Sequence, residues 1–420
     1  MRLYWRFAAL VVLLLLPARV QAHRLKIPAF ARKYGLSCSV CHSPVPRLTA
    51  AGEAFAANGF EFQVGEEPRD TVATGDPLLR LQRTLPLAIR FDAYAQALSK
   101  TSTGQVSNDL QTPWVVKLLS GGQVADKVSY YMYFLLTERG EVAGLEDAYI
   151  QFTDLAGSGV SVAVGQFQVS DPMFKREVRL PYEDYQAYRV RVGLAVADLT
   201  YDRGIIATFS PWSGADVALE LVSGQGLRQA SFYRQYDRDN GKSGLVRFSQ
   251  ELGPLRVGAF GYFGSERVEN TPSRISIWGP DATLPLGNGG ELNVQYYRRR
   301  DARPFFDTCI VRPQFCPLGG DEPLNTDVDA AFAEATFWPQ GPAGRFFVSA
   351  LYNRIAADAP ILSLRLGEQG ELPPNLVSKY QTAALGLHYM FRRNVRLMTE
   401  AGWDFEREQG RLIAGTMVAF

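Results

Sequence analysis

From about Leu85 to the last residue the chain repeats one theme: a segment that alternates apolar and polar residues, then turn chemistry. Leu85, Leu87, Ile89, Phe91 and Ala93 alternate with Pro86, Ala88, Arg90 and Asp92. Ala148, Ile150 and Phe152 alternate with Asp147, Tyr149 and Gln151, and Leu292, Val294 and Tyr296 with Glu291, Asn293 and Gln295. Side chains on an extended strand point alternately to its two faces, so this period makes one face apolar and the other polar. Segments of this length number about sixteen, as the geometry of a membrane-crossing strand would divide the stretch. The expectation is therefore a mainly β chain, with a transmembrane antiparallel β-barrel over 85–420. A soluble sandwich would also explain the alternation.

The end of the chain argues for the barrel. Leu412, Ala414, Thr416, Val418 and Phe420 share one apolar face, and the chain stops on an aromatic residue. A final amphipathic strand closed by Phe resembles the terminal signal of bacterial outer-membrane barrels. The 19 Tyr and 25 Phe suit the aromatic girdles of such barrels. The same alternation assigns faces near this end. Gly386, His388 and Met390 share the lumen side of their strand, as do Arg396, Met398, Glu400 and Asp404 of the next.

The other end reads differently. Arg2 and Arg6 precede an apolar run from Phe7 to Leu16, and Val20-Gln21-Ala22 is a small-residue cleavage pattern. This is the form of a secretory signal peptide over 1–22, too short to span a bilayer as a helix. Cleavage would remove three Arg and no acid, and would leave His23 first. The full chain carries 44 Lys plus Arg against 43 Asp plus Glu, so no basic field points to nucleic acid.

Cys38-Ser39-Val40-Cys41-His42 is a CxxCH motif, which reads as covalent attachment of one c-type haem. Two thiols about a helical turn apart can take up the two vinyl groups, and the next residue can turn its imidazole to the iron. Cys38 and Cys41 are the expected cofactor-binding residues and His42 the proximal iron ligand. A zinc half-site would need further Cys or His, and neither occurs from Ser43 to Thr308. A redox CxxC would need a thioredoxin-like βαβ context, which is missing.

Around the motif, 23–64 reads as a miniature helical domain. A helix over Ile27–Gly35 ends on glycine, and Thr49 caps a second over Ala50–Ala57 that Asn58-Gly59 terminates. Phe30, Leu36, Leu48, Phe55 and Phe60 are the apolar side chains available to cover a macrocycle. A polar linker, 65–84, leads to the barrel. The candidates for the sixth iron ligand are His23, His388, Met390 and Met398, because no Met occurs from His23 to Tyr131.

Two other features stand out. Cys309 and Cys316 lie in a long polar segment, and in an exported chain they most simply form a disulfide in an external loop. Asp171-Pro172-Met173-Phe174-Lys175-Arg176-Glu177-Val178-Arg179 is the densest charge run, followed by Tyr182, Glu183, Asp184, Tyr185 and Tyr188. It interrupts the alternation and reads as a loop or lumen constriction. Glu183 and Asp184 there are either hard oxygen ligands of a metal-ion landing site or members of a salt-bridged loop.

Pro28-Ala29-Phe30-Ala31-Arg32, Gly35, Cys38, Cys41-His42, Pro46, Leu48, Gly52, Phe55 and Gly59 resemble the haem segment of fused monohaem cytochrome c–porins of bacterial outer membranes. That family includes outer-membrane iron oxidases. The resemblance is specific over about Ile27 to Phe60 and architectural beyond. It implies a small haem domain joined to a barrel of about sixteen strands. It also implies electron transfer between an extracellular donor or acceptor, ferrous iron among the donors, and a periplasmic electron carrier. Lys33-Tyr34 and the Ala51 and Glu53 flanks of Gly52 depart from the iron-oxidase pattern, so iron specificity does not follow. The alternative is a porin-like solute channel with a haem-bearing plug or sensor domain.

Overall fold

The computed structural model describes residues 29–101, 105–142, 144–237, 239–268, 271–306, 323–364 and 376–420. Sixteen antiparallel strands close into one barrel. In chain order they are β1 (Leu87–Leu98), β2 (Asn108–Ala125), β3 (Val128–Glu138), β4 (Gly144–Phe152), β5 (Ser161–Gln168), β6 (Tyr201–Phe209), β7 (Ala215–Val222) and β8 (Ser243–Leu252). Then follow β9 (Leu255–Val268), β10 (Thr271–Pro285), β11 (Gly290–Ala302), β12 (Asn325–Phe337), β13 (Phe346–Ala357), β14 (Lys379–Arg392), β15 (Val395–Asp404) and β16 (Gln409–Ala419).

Each strand pairs with its sequence neighbours, and β16 returns to β1 with Leu412 opposite Ala97 and Val418 opposite Phe91. The terminal Phe420 exchanges backbone hydrogen bonds with Ile89, 2.6 and 2.8 Å long, so the last residue takes part in closing the barrel. Closure leaves the barrel sheet without an open edge, which is the condition for strands to survive in hydrocarbon.

The expected alternation holds. In β14, Leu385, Leu387 and Phe391 are exposed while His388 and Met390 are buried on the inner side. In β15, Leu397 and Trp403 face out while Arg396, Met398 and Glu400 face in. Ile150, Ile205, Leu219, Phe248, Phe263, Trp278 and Leu412 extend the outward apolar surface around the wall. A belt of this extent is what a lipid environment requires and what water penalises.

The two ends of the barrel differ. At one end the connections are as short as 126–127, 253–254 and 393–394; at the other they include 169–200 and 223–242. The 169–200 segment turns into the lumen. Its Phe174, Tyr185, Tyr188, Val190, Val192 and Leu199 form a dry core against Tyr262, Ile277, Tyr297, Phe332, Leu351 and Ile355 of the wall. Val190–Val192 pairs there with Leu362–Leu364 from the connection between β13 and β14. Part of the lumen is thereby filled, and a polar cavity remains beside it.

The N-terminal segment contains α1 (Ala29–Tyr34) and α2 (Ala50–Ala57), with a single 3-10 turn at Cys38–Val40 between them. Both helices stop as their sequences predict. Thr49 caps α2, its Oγ1 accepting from the Gly52 N–H at 3.2 Å. At its other end Phe60 N–H donates to Phe55 O and Gly59 N–H to Ala56 O, with Gly59 at φ +72°. This is a Schellman motif, including its apolar contact between Phe55 and Phe60. Residues 1–28 lie outside the described residues, and with them the expected signal peptide and His23. Cys309 and Cys316, with the disulfide expected of them, lie outside them as well.

Candidate functional site

The N-terminal segment sits in the short-turn mouth of the barrel and touches opposite arcs of its wall. On one side the Phe60 ring stacks on Tyr131 of β3, with centroids 5.7 Å apart, and its edge lies over Gly121 of β2. Gln151 of β4 donates to the Ala57 carbonyl at 2.7 Å. On the other side Ser43 Oγ donates to Pro342 O at 2.5 Å, in the turn between β12 and β13. Arg47 reaches Glu291 of β11 at 2.6 Å and lies over the Trp338 ring at 5.1 Å. The segment therefore spans the mouth as a plug.

Its interior is aromatic. Phe30 stacks on Phe60 at 5.2 Å and meets Phe55 edge-on at 5.1 Å, and Tyr34 packs on Phe55 and Phe62. Phe30, Phe55 and Phe60 were expected to cover a macrocycle. They pack on one another as the plug's core and at its seam with the barrel. Beside the CxxCH turn Leu36 and Val40 are exposed, while Leu48 forms an isolated β-bridge with His42.

The turn has the form that its chemistry needs. His42 N–H donates to Cys38 O at 2.9 Å, which winds Cys38 and Cys41 onto one turn, and both are free thiols of intermediate exposure. Helix α2 lies directly against it: a Cβ on Gly52 would stand 2.3 Å from Cys41 O, so only glycine permits this approach. The His42 ring is held from behind. Its Nδ1 is 2.9 Å from the Pro46 carbonyl, which accepts a hydrogen bond from Nδ1–H and leaves the Nε2 lone pair as the ring's donor to a metal. Burial pushes the His42 pKa below its ordinary value and so favours the neutral, ligating form.

These residues fit a covalently attached haem: two thiols on one turn, followed by an imidazole with a fixed tautomer. The cleft at His42 holds about 10 Å³, so a macrocycle itself would have to widen it. Ser39, Pro44, Val45, Pro342, Phe347, Met390 and Arg393 complete its lining. Of the described sixth-ligand candidates, Met390 is brought to this cleft. His388 is on the same strand face but is tied to Ser349 Oγ at 2.8 Å, and Met398 packs with Tyr94 and Ile413.

Above the plug, the polar part of the lumen is a cavity of about 520 Å³. It is lined by β14–β16, β1–β4, β6 and the in-folded segment, and Arg90, Lys117, Glu146, Asp184, Arg396 and Arg411 are among its charged residues.

The carboxylates proposed as a landing site for metal ions are engaged there. Asp184 accepts a bidentate pair from Arg176 at 2.5 and 3.1 Å, and Arg179 and Arg189 lie 3.4 and 3.3 Å away. Glu183 is 2.5 Å from Arg411 and accepts from Gln186 at 3.0 Å. Three guanidiniums around one carboxylate repel a cation, so the salt-bridged reading holds and the landing-site reading does not. Among the described residues no group of three or more His, Cys, Asp or Glu could hold a metal ion. The loop is buried rather than solvated, because its aromatic half packs on the lumen wall.

No protein-family model and no curated protein matches the chain. Solved structures do. OmpT of Vibrio cholerae, as a loop L8 deletion mutant, superimposes with a TM-score of 0.53 at 13% identity, over 80% of this chain and 99% of that one. An anion-selective porin from Comamonas acidovorans gives 0.54 at 11% identity, over 80% and 99%. The fold is that of an outer-membrane porin. The covered share corresponds to the barrel's share of the chain, and the likeness describes the wall rather than the site.

The docking partners of the plug, Tyr131, Gln151, Glu291 and Trp338, carry no signal in the sequence that distinguishes them from other inward or rim residues. Arg396 and Met390 were legible as inward-facing, but that Met390 lines one cleft with His42 was not.

Proposed function

We propose that this chain is an outer-membrane barrel whose periplasmic mouth is closed by a plug domain carrying one covalent haem, and that it moves electrons across the membrane. The observation that carries this reading is the Cys38–His42 turn, with its ring oriented by Pro46, set within a domain that spans the barrel mouth. Barrels of this type have short periplasmic turns and longer external loops. The short-turn end, and the plug with it, is therefore assigned to the periplasm, consistent with an export signal at 1–22.

Cys38 and Cys41 would attach the haem and His42 would ligate it; the bound group supplies a one-electron couple. The chain's own residues do the rest. The apolar outer wall insulates the site in lipid, and the salt-bridged 169–200 segment narrows the route from outside. The plug presents its other surface to a periplasmic electron carrier. The extracellular partner is a reduced donor, ferrous iron among the candidates, or an external acceptor if flow runs outward.

A second reading is favoured by the open polar cavity and by the porin fold itself: a solute channel with a haem-bearing plug or sensor. The porin likeness supports it more directly than it supports electron transfer. Both readings are tested on protein purified from outer membranes. Anaerobic ferrous iron should reduce the haem as followed by its α band, while planar-bilayer conductance should stay low. Steady ohmic conductance, with a haem reduced by dithionite and not by external donors, would reverse the order of the two readings.

A further inference from the structure

Met390 belongs to the barrel and His42 to the plug, yet both line one cleft, together with Phe347 and Arg393. We propose that Met390 would hold the iron of this haem through its sulfur, together with His42, so that the redox site would be completed across the seam between plug and barrel. This rests on the haem reading above.

Three features of the wall support it. Met390 is 3% exposed on the inner side of β14, and a buried thioether at an imidazole is a soft donor suited to haem iron. Directly across the ladder from Met390 stands Arg396 of β15. Arg396 is 2% exposed, and its Nε and Nη1 are buried with no hydrogen-bond partner. The Nδ1 of His388, two residues before Met390, is likewise buried and unpartnered. Buried donors without partners are costly, and a guanidinium with two of them is satisfied best by a carboxylate. Haem bears carboxylates of the kind Arg396 lacks, and Arg393 lines the cleft as a second guanidinium. The other described candidates do not reach it: His388 is bonded through Nε2 to Ser349, and Met398 is enclosed by Tyr94 and Ile413.

The arrangement also connects the two halves of the structure. Arg396 lines the 520 Å³ lumen cavity and its ladder partner Met390 lines the His42 cleft. The lumen cavity and the His42 cleft thus lie one ladder pair apart.

The test uses the full chain, matured in a host with c-type cytochrome assembly and purified in detergent. A haem adduct on the peptide containing Cys38 and Cys41 establishes the group, and its absence would overturn the haem reading and Met390's role with it. With haem attached, the ferric protein should show the long-wavelength sulfur-to-iron charge-transfer band of Met–His coordination. Met390→Leu keeps the volume and removes the donor. It should abolish that band and lower the reduction potential, while Met390→His should restore a low-spin spectrum without the band. Met398→Leu and His388→Gln should leave it unchanged. A haem-bearing wild type that lacks the band, or a Met390→Leu protein that keeps it, would overturn the proposal and leave the haem reading intact. Heat-modifiable gel mobility checks that each barrel is folded.

Discussion

Replacing Phe60 by alanine should loosen the plug by a calculable amount. Phe60 is 5% exposed, stacks on Phe30 and Tyr131, and meets Phe55 edge-on. Truncating such a ring costs about 3–5 kcal/mol. At 1.4 kcal/mol per tenfold that is roughly a hundredfold to a few thousandfold in the opening equilibrium. The assay is hydrogen exchange of the α2 amides, whose protection should fall by that factor while barrel amides keep theirs.

The backbone supplies an internal check. Phe60 has φ +68°, a left-handed conformation that costs a side-chain-bearing residue about 1–2 kcal/mol. Glycine escapes this cost but gives up about 0.5–1 kcal/mol of chain entropy. Phe60→Gly should therefore be better protected than Phe60→Ala by about 0.5–1 kcal/mol, opposite to the usual order. Protection of Phe60→Ala within threefold of wild type would refute the packing argument, and a Gly variant below the Ala variant would refute the backbone one.

Gly52→Ala should push α2 off the Cys41 turn, since its Cβ would stand 2.3 Å from the carbonyl; the readout is faster proteolysis between 38 and 58. Glu61 is 1% exposed, with Oε2 accepting from Gly65 N–H at 2.8 Å and Oε1 buried without a partner, so burial raises its pKa. A raised folded pKa means that the plug binds this proton more tightly than the unfolded chain does. Plug stability should then fall as pH rises from about 4.5 through the folded value and level off above it. Hydrogen exchange at pH 5 and 7 should show a smaller difference in Glu61→Gln than in wild type. Asp184→Ala leaves the guanidiniums of Arg176, Arg179 and Arg189 without their shared carboxylate. A loss of about 3–5 kcal/mol in the packing of the in-folded segment is expected. In a planar bilayer this should appear as a shift towards anion permeation, and unchanged selectivity would argue against the segment as the constriction.

The sequence by itself determined what is local or periodic. Alternation through β1, β4, β11 and β14–β16 implied strands and their faces, because side-chain direction on a strand follows from residue parity alone. Thr49, Gly35 and Gly59 marked helix ends, because caps are made within a few residues of the chain. The single turn that carries Cys38, Cys41 and His42 is local for the same reason. Tertiary structure decided everything that joins distant positions. That Phe60 meets Tyr131, that Asp184 is ringed by three arginines, and that Met390 shares a cleft with His42 depend on closing the barrel and seating the plug. The closure is a sum of many interchangeable ladder hydrogen bonds. No short stretch of residues encodes which inward side chain ends at the same height as the haem motif.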